Sequence, residues 1–307
     1  MGEWLALLSA CCFSASNVTI IRGIGAKGED NGAFLSIMLT AAIAAALWLA
    51  QGMQQGWREP TPAGVAWFAG AGVLTIFVGR VFSYASIQHL GAIRASVAKR
   101  LIPLFSIGLA VLLLGETLDA SMLVGMLLIG SAFAVLILQA LNSVDVEPQA
   151  GAARTASWMA TLGNLGFYYG PVSSLAYALG YIARKQGLTA LPDPAFGTML
   201  GSVVGGVVFV LVACFVTSYR TALQRTFSHF NPWLLLAGVL SSAGQLLYFA
   251  ALNHSTISRV AMISSLEAFV TIFLTVVVTR SFKQINGPVL LAASLGVAGT
   301  MVLLVRW

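Results

Sequence analysis

Tyr84-Ala85-Ser86-Ile87-Gln88-His89, followed by Arg94, is answered 165 residues later by Phe249-Ala250-Ala251-Leu252-Asn253-His254, followed by Arg259. Each stretch stands at the turn between two long apolar segments, and about five such segments lie in each half of the chain. Five crossings reverse a chain's direction, so the second copy must sit upside down relative to the first. Inverted repeats of this kind place a solute site near mid-bilayer and let it open to either side in turn. The expected fold is all-α: a polytopic membrane protein of ten transmembrane helices in two inverted-topology repeats of five around a central cavity.

Composition supports that reading. Of 307 residues, 58% are apolar and 8% charged, against roughly 25% charged in soluble domains. A spanning helix needs about 20 mostly apolar residues. Candidates fall at 4–21, 32–51, 63–88, 92–114, 121–140, 157–180, 195–217, 232–252, 256–279 and 287–305. Residues 1–142 form the first repeat, 143–156 a connecting loop and 157–307 the second repeat. The connections are too short to fold independently. A net charge of +6 would point to nucleic acid in a soluble protein; here loop charges set orientation, and no nucleic-acid partner is expected. Cys11, Cys12 and Cys214 fall within spans and read as small hydrophobes rather than disulfides or metal ligands. Leu8-Ser9-Ala10-Cys11 looks like a lipoprotein cleavage site, yet Met1-Gly2-Glu3-Trp4 lacks the basic start of a signal peptide. The first segment is read as a retained helix.

The self-match extends beyond the turns. Trp4, Ala6, Leu8 and Phe13 match Trp158, Ala160, Leu162 and Phe167 at an offset of 154. The third and fourth spans match the eighth and ninth at 165, which places eleven extra residues in the 181–195 connection. Gly130-Ser131-Ala132 of the fifth span runs parallel to Gly296-Val297-Ala298 of the tenth. Gly197, Gly201 and Gly205 share one face of the seventh span, as do Ala292, Gly296 and Thr300 of the tenth. Such stripes let backbones approach closely in lipid. They are assigned to internal packing, so a monomer is expected rather than a homodimer. Pro103 and Pro171 fall inside spans and should kink them.

Ala85 to Leu118, ASIQHLGAIRASVAKRLIPLFSIGLAVLLLGETL, resembles the signature stretch of the EamA-type families in the drug/metabolite transporter superfamily. The shared features are a short turn, the small pair Ala95-Ser96, the mid-helix Pro103 and the exit Leu114-Gly115-Glu116. The resemblance implies a ten-helix carrier whose cavity is lined mainly by the first, third, fourth, sixth, eighth and ninth helices. It also leans towards export. The second copy departs from the pattern, with Ala268 at the position of Pro103 and Arg280-Ser281 at that of Gly115-Glu116. Lys99 and Arg100 stand where many relatives are apolar. The family moves very different solutes, so fold alone names none.

Ionisable residues within spans are costly and by default suggest function. Counted from the turn at 90–91, Arg80, Lys99 and Arg100 all lie about 13–16 Å deep in a core of about 30 Å. Arg80 shares a face with Tyr84. In the inverted copy Gln245 takes the place of Arg80, Ser264 and Ser265 replace Lys99 and Arg100, and Glu267 lies about twelve residues in. Up to three cations thus face one anion and several neutral groups. Either Glu267 merely neutralises one of these cations, or their excess lines a wet cavity and meets an anionic group of the solute. Asn17, Asn164, Tyr168 and Tyr248 join Arg80, Tyr84, Lys99, Arg100, Gln245, Ser264 and Glu267 as candidate substrate-binding residues; few placed polar groups suffice to orient a solute. His89 and His254 read as capping or interfacial turn residues.

No catalytic constellation is seen, so no enzyme is expected. There is no phosphate-cradling Gly loop followed by Lys and Ser/Thr, no His/Cys cluster for a metal, and no cofactor is expected. Asp30, Asp119, Asp145 and Asp193 lie in loops, against a multi-carboxylate ion pump. The expected protein is a secondary carrier in the lipid bilayer of a bacterial inner (plasma) membrane, exporting a small-molecule solute, an amino acid or related zwitterion. Cationic groups would take its carboxylate and Glu267 its ammonium. A carrier of phosphorylated metabolites or nucleotide sugars stays open, because paired Lys-Arg suits phosphate, as does a non-transporting scaffold or receptor. Short-loop basic residues number four on the terminal side (Arg58, Arg184, Lys185, Arg306) and seven opposite (Arg22, Lys27, Arg154, Arg220, Arg225, Arg280, Lys283). That bias would put both termini outside.

Overall fold

The computed structural model describes residues 1–23, 32–86, 101–143, 165–228, 230–279 and 287–304, in which helix is the regular structure and no strand occurs. The helices are α1 (Gly2–Gly23), α2 (Ala33–Gln55), α3 (Pro62–Ser86), α4 (Leu101–Leu114), α5 (Ala120–Ser143) and α6 (Leu165–Ala190). They continue with α7 (Pro194–Phe215), α8 (Thr217–Ser228), α9 (Pro232–His254), α10 (Ile257–Ser264), α11 (Glu267–Thr279) and α12 (Gly287–Leu304). Helices α1, α2, α3, α7 and α9 are each long and apolar enough to cross a bilayer. The eighth span is α9, the ninth is α10 with α11, and the tenth is α12.

Three spans start on the same device. Thr61, Asp193 and Asn231 each precede a proline, and their side chains accept from backbone N–H groups two or three residues on: Gly64 at 3.1 Å, Phe196 at 2.9 Å and Trp233 at 3.0 Å. A side-chain acceptor followed by Pro satisfies one orphan donor and removes another. Span four ends on Gly115, whose φ of 64° favours glycine. There the Glu116 N–H reaches back six residues to the Ala110 carbonyl at 3.2 Å.

The packing carries the inverted symmetry. Helix α1 packs on α9, α10 and α11 as α6 packs on α3 and α4; α2 meets α9 as α7 meets α3. The pairs α2–α7, α5–α12 and α4–α10 each join a helix to its own counterpart. Exchanging the halves therefore reproduces the contact pattern. The alternation of faces is equally visible. On the terminal face, Arg58 Nη1 donates to the Pro192 carbonyl at 2.5 Å, joining two loops. On the opposite face, Asn231 Nδ2 donates to the Gly23 carbonyl at 2.9 Å, joining the end of α1 to the start of α9.

The small-residue stripe of the seventh span is internal, as expected. A Cβ on Gly197 would meet Phe249 and Phe68 at 2.8 Å, and one on Gly205 would meet Ile76 at 2.7 Å. Gly201 lies against Gly72 of α3, backbone on backbone. In the tenth span, a Cβ on Gly296 would meet Phe269 at 2.6 Å.

Two expectations need correction. The sixth span does not end at 180: α6 runs on to Ala190, and the connection to α7 is confined to Leu191–Asp193. Much of the extra length in the second repeat is thus helix, and Arg184 is a buried residue rather than a loop charge. Arg259, at the start of α10, belongs to the terminal face beside Glu3 and Asp119. The terminal-side tally loses one arginine and gains another. The second correction is α8, an amphipathic helix where a plain loop was expected. Its Tyr219, Ala222 and Leu223 pack on Phe34, Ile76 and Phe209, while Arg220 Nη2 donates to the Cys214 carbonyl at 2.6 Å, capping the end of α7.

Candidate functional site

The ninth span is broken at mid-depth. Helix α10 closes with the Ser265 N–H donating to the Ala261 and Met262 carbonyls, both at 3.1 Å, and α11 opens on Glu267. Ten residues from the start of α10, Glu267 lies about 15 Å in, the middle of a core about 30 Å thick. A carboxylate on the first residue of a helix faces the positive end of its dipole. Asn17 Nδ2 donates to Glu267 Oε1 at 2.6 Å, and Ser14 Oγ lies 2.8 Å from the Glu267 carbonyl, so α1 holds the break from the side. Glu267 and Asn17 were both candidate substrate-binding residues, and they are bonded to each other.

Arg80 is buried at the same level but turns to α2. Its Nη1 donates to the Ser36 carbonyl and hydroxyl, both at 3.1 Å, and to Thr40 Oγ1 at 2.9 Å. Thr40 in turn meets Ser242 of α9 at 2.9 Å. All these partners are neutral, and Arg80 makes no ion pair with Glu267. Depth along a helix is legible in a sequence; the azimuth of a long side chain is not.

The cation that sequence reasoning missed is Arg184. Long side chains lean towards the N-terminus of their helix, which carries this guanidinium inward from its Cα. Nη2 donates to Thr75 Oγ1 of α3 at 2.5 Å. The Gln245 amide of α9, oriented with its oxygen towards the guanidinium, accepts from both Nη1 and Nη2. The guanidinium carbon lies 4.8 Å from the Phe249 ring centroid and 5.8 Å from that of Tyr181, within range for cation–π attraction. Tyr181 stacks on Tyr248 at 4.4 Å between centroids. Arg184 thus joins the third, sixth and eighth spans.

Backbone irregularity gathers at this point. Val73–Gly79 of α3 is a π-helical segment, a form enriched at functional sites. The Gly79 carbonyl accepts from Ser173 Oγ of α6 at 2.6 Å. Gly180 of α6 leaves room for Thr75, whose Cγ2 would lie 2.2 Å from an added Cβ. Tyr177, one helical turn before Tyr181, lies 5.9 Å from it between ring centroids.

Of the other candidates, Gln245 and Tyr248 belong to this cluster. The buried Tyr84 hydroxyl and the Ser264 hydroxyl beside the break have no hydrogen-bond partner among the described residues. Tyr168, near the start of α6, is 49% exposed, unlike the buried tyrosines of the cluster. Lys99, Arg100, Asn164 and His89 lie outside the described residues. His254 ends α9 in an exposed position at the terminal face. A separate cavity of 340 Å³ lies between α2 and α7, walled by Phe34, Ile37, Met38, Val203 and Val207 with Ser202 as its polar residue. It offers a polar solute little to bind, so the charged layer is the candidate site. No group of metal-ligating side chains occurs among the described residues.

The profile of the EamA-like transporter family matches residues 1–138 and 164–305. A solved structure titled "Crystal structure of protein" superposes with a TM-score of 0.61 at 17% identity, covering 96% of this chain and 97% of that one. That likeness concerns the fold alone. No curated protein matches the chain significantly.

Proposed function

Because the chain belongs to the EamA-like transporter family, we propose that it is a secondary transporter exporting small polar metabolites, amino acids above all, by alternating access. Membership makes it an integral, multi-pass membrane protein that moves small solutes, and points away from enzymatic activity. The observation that carries the finer reading is the broken ninth span. It sets Glu267, held by Asn17, near mid-depth, the level counted for Arg80 as well. An α-amino acid carries both charges on neighbouring atoms, and such a layer answers both. Half-helix ends at mid-membrane are a recurrent way for carriers to hold charged groups. Lys99, Arg100, Asn164 and Tyr168 remain proposed contacts on their sequence positions.

A second reading has its own support. Arg80 and Arg184 are buried with neutral partners, and paired cations suit a phosphorylated metabolite or nucleotide sugar. Proteoliposomes separate the two. Uptake of labelled amino acids, without uptake of sugar phosphates, is the expected outcome; the reverse selectivity overturns the amino-acid reading, and uptake of neither overturns both.

A further inference from the structure

We propose that Arg184 is the carboxylate receptor of the transport site, an inference that rests on the amino-acid reading above and deepens it. A buried charge is costly unless a counter-charge or full hydrogen bonding compensates it. Arg184 is 2% exposed, and its partners are a hydroxyl, an amide and two aromatic faces. It makes no ion pair to a carboxylate among the described residues. The guanidinium is therefore oriented on one edge and charge-uncompensated, the state that a bidentate anion relieves.

Three further observations place the missing anion in the solute. Glu267, at the break of the ninth span, makes no ion pair with Arg184. A molecule between them can offer an ammonium to one and a carboxylate to the other. The buried Tyr84 hydroxyl of the third span has no hydrogen-bond partner among the described residues. Buried polar groups left unsatisfied in a protein call for a ligand or water to complete them. Finally, the Arg184 partners Thr75 and Gln245 lie on the third and eighth spans, which occupy equivalent places in the two repeats. A carboxylate that draws the guanidinium away from them would loosen the tie between the halves, linking occupancy to rearrangement.

The test uses the amino acid with the largest uptake in the panel above, with its decarboxylated amine and its deaminated acid. If wild type takes up no amino acid, the functional reading has failed and not this inference alone. Otherwise, Arg184→Gln should weaken binding of the amino acid and the deaminated acid by roughly ten- to a hundredfold and leave the amine unchanged. Arg184→Lys should recover part of the loss. An equal loss for all three compounds, or none, assigns Arg184 to structure and overturns the proposal. A measurement on unaltered protein guards against misfolded variants. Phenylglyoxal labelling in proteoliposomes, read at Arg184 by peptide mass spectrometry, should be blocked by the amino acid and the acid but not by the amine. Labelling indifferent to all three, or absent altogether, also overturns it.

Discussion

Gly70 and Gly72 sit two residues apart in α3, and the structure assigns them opposite responses to the same substitution. A Cβ on Gly70 meets nothing within 4 Å, whereas one on Gly72 would lie 2.3 Å from the Gly201 carbonyl oxygen and 2.5 Å from the Gly201 Cα. Real Cβ contacts essentially never fall under 3.0 Å, so α3 and α7 would have to part by several tenths of an ångström. Both contacting atoms are backbone, and no rotamer change relieves them. In a helix interior Ala gains about 0.8–1 kcal/mol over Gly, a gain common to both variants. Their difference isolates the clash, about 1–3 kcal/mol for overpacking, with the upper end expected here. Purified Gly70→Ala should melt at or above wild type, and Gly72→Ala roughly 3–5 °C below Gly70→Ala. Thermal unfolding in one detergent, followed by tryptophan fluorescence, reads both. Equal melting temperatures would refute the close approach of the third and seventh spans. Because the π-helical segment begins at Val73, Gly72→Ala should also slow transport, while Gly70→Ala should not.

Glu116 accepts from the Ile257 and Ser258 N–H groups at 2.8 and 3.1 Å and from Ser258 Oγ at 2.7 Å, capping α10 from span four. Glu116→Ala should cost about 1–3 kcal/mol and Glu116→Gln less; unchanged melting of the Ala variant would remove the cap from the account. Asp119 is held at a pKa of about 2, below its ordinary 3.8, by hydrogen bonds from Ser121 and the Met122 N–H and then by Arg259. A depressed carboxylate contributes stability above its unfolded pKa and loses it as pH falls through the folded one. The difference in melting temperature between wild type and Asp119→Asn should therefore hold above pH 3.8 and shrink towards pH 2; a difference independent of pH contradicts it. Glu267→Gln should weaken amino-acid transport and spare deaminated analogues. Equal loss of both solutes would mark Glu267 as a structural partner of Asn17, and improved anion uptake would favour the phosphorylated-metabolite reading.

The fold was legible because lipid imposes a simple code. Apolar runs of spanning length, the repeated turn and the glycine stripe of the seventh span each translate directly into the packing observed. The depth of Glu267 follows from counting residues along a helix, and the break between α10 and α11 falls beside it. Arg184 was missed for the complementary reason. A basic pair near the end of an apolar run reads as a membrane exit, whereas the helix continues through it. The available signal was helical spacing, since Tyr177, Tyr181 and Arg184 share a face and no proline interrupts before Pro192. The direction of Arg80 was not legible, because Ser36 and Thr40 lie 44 and 40 residues away in sequence and only packing brings them alongside.

Two halves with one sequence would give a carrier whose conformers, exchanged by the internal dyad, had equal free energy. This chain is unlike that at Glu116. The carboxylate that anchors span four to α10 on the terminal face has the neutral Ser281 at the repeat-related position, and a single hydroxyl cannot accept in the two-oxygen manner of a carboxylate. The terminal face also gathers Glu3, Arg259 and Asp119 into one chain of opposite charges. The carboxylates of these contacts, Glu3, Glu116 and Asp119, come from the first half, and their partners Ile257, Ser258 and Arg259 from the second. On the alternating-access proposal, these contacts would weight the resting population towards the conformer that makes them, and a solute would have to supply differential affinity to move it.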